Sequence, residues 1–165
     1  DLKKAEELLL GVRKDITYFH SSRYISDLAN GDICVAAGFS GDIFQAAARA
    51  EEAENGIEIN YIIPKEGATL WFDMLAIPKD SSNPDSAHAF INYVLRPDVI
   101  APITDYVAYA NPNKASSDLV DPEIRNDPAI YPSDEIMSRL YVNVPRSMAG
   151  QRLMTRAWSR IKSGR

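Results

Sequence analysis

The sequence predicts an α/β domain whose sheet is parallel at least in part. Three observations carry that prediction. Short β-branched and aromatic runs recur at 16–19, 33–37, 57–63 and 70–77. Stretches with apolar residues at helical spacing lie between and after them. Gly, Pro and Asn mark the junctions, so strands and helices alternate along the chain.

Element by element, Leu2, Ala5, Leu9 and Val12 share one face of a helix that ends near Lys14. The chain opens inside this pattern with no cap before it, so the expectation is a chain that begins within a longer protein. Ile16-Thr17-Tyr18-Phe19 reads as a strand. Ser21 and Ser22 can cap a helix running to Asn30, which Gly31 stops. Ile33-Cys34-Val35-Ala36-Ala37 reads as a buried strand, followed by the turn Gly38-Phe39-Ser40-Gly41. Asp42 opens an Ala-rich helix to about Glu54, and residues 57–63 alternate as a strand. Residues 70–77 form a further strand beyond the turn Pro64-Lys65-Glu66-Gly67. Helices start at Asn83-Pro84-Asp85 and at Pro97, where the fixed φ of proline suits a first turn. Residues 107–132, rich in Pro, Asn and Asp, read as loop, and helices near 133–140 and 149–162 complete the chain.

Composition narrows the function. With 165 residues, 45% hydrophobic and 25% charged, the chain has the make-up of a globular protein with a real core. Its net charge of −5 lacks the basic footprint that nucleic acid requires. No stretch approaches the ~20 apolar residues of a membrane-spanning helix. The single cysteine, Cys34, lies in an apolar run, where a buried inert thiol is expected. His20 and His88 have no third ligand at metal spacing, so no metal site is expected. His20-Ser21-Ser22 lacks the Gly-x-Ser-x-Gly elbow of a hydrolase, and adjacent His and Ser cannot easily form a nucleophile–base pair. The chain is therefore read as a non-enzyme without a cofactor.

Asp73 stands out, because it interrupts Leu70-Trp71-Phe72-Asp73-Met74-Leu75, a run apolar on both faces. Burial there costs several kcal/mol unless a cation or hydrogen-bond donors meet the carboxylate. An internal ion pair or an edge position explains it as well as a ligand does. Trp71, two residues away, projects from the same face and would offer a cation–π platform beside the charge. Asp42 is either a first-turn acid favoured by the helix dipole or a ligand residue at the mouth of the sheet. Phe39 would add an aromatic wall. Tyr109, between a helix and a proline turn, suits either a cleft or the surface. Ser21 reads as a helix cap on pattern alone.

Taken in order, these residues resemble the substrate-binding proteins of bacterial polyamine ABC transporters, above all the putrescine-binding branch. The resemblance covers essentially the whole chain. It is carried by Tyr18-Phe19-His20-Ser21-Ser22, Leu28-Ala29-Asn30-Gly31-Asp32, the Gly38-Phe39-Ser40-Gly41-Asp42 turn and Trp71-Phe72-Asp73. Leu95-Arg96-Pro97-Asp98-Val99, Tyr109-Ala110-Asn111 and Thr155-Arg156-Ala157-Trp158 continue it. It implies a type II periplasmic binding fold, two α/β lobes with a ligand cleft, of which only the C-terminal half is present. Residues 1–67 would belong to one lobe, 68–112 to the other, and 113–165 would form a return segment and closing helices on the first.

The resemblance further implies a periplasmic protein that delivers a polyamine to the membrane permease of an ABC transporter and needs an N-terminal half to complete its cleft. Asp42 and Asp73 would hold the amines, Phe39, Trp71 and Tyr109 would sandwich the alkyl chain, and Ser21 would supply a polar contact. Relatives commonly carry tryptophan where this chain has Phe39, which leaves spermidine, agmatine and cadaverine open beside putrescine. A polyamine-sensing signalling module is the remaining alternative.

Overall fold

The computed structural model describes residues 1–164. In chain order the elements are α1 (Leu2–Gly11), α2 (Arg23–Ala29), α3 (Ser40–Glu52), β1 (Thr69–Leu70), α4 (Pro84–Val94), α5 (Pro97–Val107), α6 (Pro122–Arg125), α7 (Asp134–Met137), β2 (Tyr141–Val142) and α8 (Met148–Ser163). Short 3₁₀ turns occupy Arg13–Asp15 and Lys114–Ser116. The described residues divide into two compact units, residues 1–21 with 143–164, and residues 22–142.

In the first unit α1 packs against α8. Ala157 and Ile161 are its buried apolar positions on α8. Arg160 grips the Glu6 carboxylate through both Nε and Nη2, and that hydrogen bonding holds the Glu6 carboxyl below its ordinary range. Arg13 donates to the Ile16 carbonyl at 3.0 Å and to the Lys162 carbonyl at 3.2 Å, the latter an otherwise open acceptor in the last turn of α8. Its guanidinium lies 5.2 Å from the Phe19 ring centre, and Phe19 meets Trp158 edge-on at 4.8 Å. One arginine thus ties residues 13–19 to the end of α8.

The second unit has two packed regions. In the first, α2 and α3 lie together over a nucleus of Tyr24, Leu28, Ile43 and Ala46, with Ile33, Ala36, Ile59 and Tyr61 laid against it. The alternation of Ile59 and Tyr61 with exposed Ile62 shows one face of that extended segment packed and the other open. In the second region, Ala101 and Thr104 of α5 are buried, as are Ser116, Val120 and Ile130 of the segment after it. Asn111 organises this segment. Its Nδ2 donates to Thr104 Oγ1 at 2.8 Å, and its Oδ1 accepts from Asn113 N at 2.9 Å and Ser116 Oγ at 3.0 Å. Satisfying both polar atoms of this half-buried amide side chain fixes the loop that carries Tyr109.

The predicted helices are present, with α4 and α5 beginning on Pro84 and Pro97 as expected. The predicted strands are corrected. Residues 16–19, 33–37, 57–63 and 71–77 join no ladder, with a bend at Cys34, and among the described residues only Thr69–Leu70 pairs, in parallel, with Tyr141–Val142. An extended run becomes a strand only when a neighbour satisfies its N–H and C=O groups, and no neighbouring run among the described residues does so here. The predicted helix at 133–140 is likewise shortened to α7, because residues 141–142 are drawn into β2. Cys34 is exposed rather than buried, because its run is covered on one side only, where Ile33 and Ala36 are laid against the α2–α3 nucleus. The cap before α2 falls on Ser22, with Ser21 one residue further out.

Candidate functional site

The turn 38–42 is the centre of the candidate site. Phe39 occupies the N-cap position of α3 with extended backbone (φ −82°, ψ 144°), and α3 begins at Ser40, two residues before the position expected from the sequence. Asp42 therefore lies in the first turn of α3, where the helix dipole favours its charge.

Asp42 meets two tyrosine hydroxyls. Tyr24 Oη donates to its Oδ2 at 2.5 Å, and Tyr109 Oη donates to its Oδ1 at 3.5 Å. The Tyr24 oxygen also accepts the Phe39 N–H at 3.1 Å. Two glycines make this arrangement possible. A Cβ on Gly38 would lie 2.5 Å from the Tyr24 ring, and one on Gly41 only 2.2 Å from the Tyr109 ring. In the sequence these glycines read as turn residues; in the structure their lack of a side chain is what admits both rings. Tyr24 was not among the expected site residues. The signal that could have found it is a tyrosine on the apolar face of a short helix, since a buried phenol needs a partner for its hydroxyl.

Burial first, and then the hydrogen bond to Asp42, push the Tyr24 phenol up to about 12. Tyr109 is raised in the same direction, chiefly by burial, next by the charge of Asp42 and least by that of Asp73. Asp73 is thus within electrostatic reach of the Tyr109 hydroxyl. Both phenols remain protonated donors at neutral pH.

Phe39 and Trp71 meet edge-to-face, with ring centres 4.9 Å apart and planes at 89°. Both are open to solvent on their other sides, at 38% and 47% exposure, and Tyr109 is similar at 37%. Asp73 is also exposed, as an edge position or a ligand residue on an incomplete cleft would be. The residues from Trp71 to Leu75 are all exposed. Five of the six expected residues, Phe39, Asp42, Trp71, Asp73 and Tyr109, therefore lie in the second unit; contacts link four of them, and Asp73 is tied to Tyr109 only through its charge. Ser21 is an exposed residue of the first unit.

The chemistry open to this arrangement is recognition of an organic cation. Two carboxylates and three aromatic rings combine hydrogen-bond acceptors, negative charge and π faces. Among the described residues no group of three or more His, Cys, Asp or Glu side chains could hold a metal ion. No described helix is long and apolar enough to cross a membrane.

Residues 1–132 match the family model of the bacterial extracellular solute-binding proteins. The chain is 56% identical over its full length to a putrescine-binding periplasmic protein of Pseudomonas aeruginosa, SpuD, and covers 45% of that protein. It is 52% identical over 161 residues to the putrescine-binding periplasmic protein PotF of Escherichia coli, covering 98% of this chain and 44% of the relative. Its structure is similar to that of the spermidine/putrescine ABC transporter substrate-binding protein PotD of Streptococcus pneumoniae, with a TM-score of 0.74 and 30% identity. That match covers 98% of this chain and 48% of the other. The chain thus spans about half the length of the relatives it matches.

Proposed function

The chain belongs to the bacterial extracellular solute-binding proteins and has the fold of part of a type II periplasmic binding protein, and we propose that it forms the C-terminal half of a putrescine-binding protein. An N-terminal half would complete the cleft, and the assembled protein would hand its ligand to an ABC permease from the periplasm. In this reading residues 1–67 serve one lobe, residues 68–112 the other, and residues 113–165 return to the first.

The observation that carries the proposal is the Asp42 carboxylate, oriented by Tyr24 and Tyr109 beside the Phe39–Trp71 ring pair. Putrescine is a dication with a short apolar spacer. Asp42 would take one ammonium and Asp73 the other, and Phe39, Trp71 and Tyr109 would flank the methylenes. Each carboxylate keeps lone pairs for such a contact, because an ionised carboxylate accepts about four hydrogen bonds. Ser21 enters as a polar contact on the resemblance alone. The relatives are named for binding solutes. The same role is proposed here in place of an enzymatic one, since the two aspartates have no nucleophile or cofactor fingerprint in the sequence beside them.

Calorimetry of the assembled protein tests the assignment. Asp73→Asn is expected to weaken putrescine binding by about 1.5–3 kcal/mol, roughly ten- to hundredfold, as fits loss of a charged hydrogen bond. Spermidine, agmatine and cadaverine, titrated in parallel, report the effect of Phe39 on ligand choice. Unchanged putrescine affinity in the Asp73→Asn variant would remove Asp73 from the site.

A further inference from the structure

We propose that Tyr24 is a positioning residue for the amine site, holding the Asp42 carboxylate and the Phe39 turn in one arrangement ready for an ammonium group. The inference rests on the reading of Asp42 as an amine ligand. Tyr24 itself is only 4% exposed, so its part is played through Asp42.

The geometry is that of a two-ended tie. One phenol oxygen accepts the Phe39 N–H at 3.1 Å and donates its proton to Asp42 Oδ2 at 2.5 Å. The residue that presents an aromatic wall and the residue that presents the charge are thereby fixed to the same atom. Without that tie, a half-exposed aspartate in a first helical turn is free to turn its carboxylate toward the helix N–H groups or out to water. The ring that carries the tie is itself locked. It packs in the nucleus with Leu28, Ile43 and Ala46, and it passes Gly38 so closely that a Cβ there would overlap it.

The Tyr24 bond occupies only one lone-pair direction of Oδ2, and the contact from Tyr109 to Oδ1 is long at 3.5 Å. The carboxylate therefore retains acceptor capacity while its orientation is fixed. Preorganisation of this kind raises affinity by removing the ordering cost from the binding step.

A double-mutant cycle on the assembled protein, read by putrescine calorimetry, separates positioning from general packing. Tyr24→Phe keeps the ring and removes the tie, and is expected to weaken binding five- to twentyfold. In an Asp42→Asn background the same substitution is expected to change affinity by less than twofold, because no charge remains to be oriented. Equal losses in the two backgrounds would show a packing role and overturn the proposal, as would unchanged affinity in Tyr24→Phe. Unchanged affinity in Asp42→Asn alone would remove Asp42 from the site, and the proposal with it. Should Tyr24→Phe fold poorly, 3-fluorotyrosine incorporated at Tyr24 replaces it. Its ¹⁹F resonance is expected to move both on Asp42→Asn and on addition of putrescine, and a resonance unmoved by either overturns the proposal.

Discussion

At the scale of single residues, Asp42 owes its surroundings to what its neighbours lack. Gly38 and Gly41 leave the space through which the Tyr24 and Tyr109 rings approach, and the two hydroxyls then converge on one carboxylate. The Tyr24 phenol has an alkaline consequence for stability. Its ionisation is raised from 10.0 to about 12 on folding, by burial first and by Asp42 second. Between those values the unfolded chain releases the proton and the folded chain keeps it. The Tyr24 contribution is therefore complete below about pH 10 and lost as pH rises through about 12. Its size is on the order of 2 kcal/mol. Urea midpoints at pH 8 and pH 11 are expected to fall further for the wild type than for Tyr24→Phe, and parallel falls would contradict the assignment.

Among whole elements, the first turn of α3 bears directly on the loop after α5, with Gly41 against the Tyr109 ring. Two effects compete in Gly41→Ala. Alanine favours a helix by about 1 kcal/mol over glycine, whereas a Cβ 2.2 Å from a ring carbon forces that ring to move. Overpacking costs about 1–3 kcal/mol, so the variant is expected to be less stable and to bind putrescine more weakly through displaced Tyr109. A gain in thermal stability would place Tyr109 elsewhere. The same elements show what the sequence made legible. The helices were readable because their determinants are local: Pro84 and Pro97 at first turns, and apolar residues at helical spacing. The strands were not, because residues 33–37 and 57–63 have the composition of strands but a ladder depends on a second segment that composition does not supply. An apolar run implies burial only when another layer covers it, and Trp71, Met74 and Leu75 are open here. The candidate site was legible through Phe39, Asp42, Trp71 and Tyr109. Tyr24 was missed because its role depends on a contact 18 residues along the chain.

For the molecule as a whole, the uncovered surfaces and the span of the chain point the same way. Val35, Ile62, Met74 and Val144 are each more than three-quarters exposed, an arrangement that a finished domain rarely tolerates on several extended segments. Relatives of about twice the length would supply further chain to cover such segments. In the proposed function this chain carries one side of a diamine cleft, with Asp42 and Asp73 as its two charges. Titration of putrescine by calorimetry against this chain alone, and against the chain assembled with its N-terminal half, tests that claim most directly. Tight binding only in the assembled protein, lost in an Asp42→Asn/Asp73→Asn double variant, is the expected result. Equal putrescine affinity in that double variant, or full affinity in this chain alone, would contradict it.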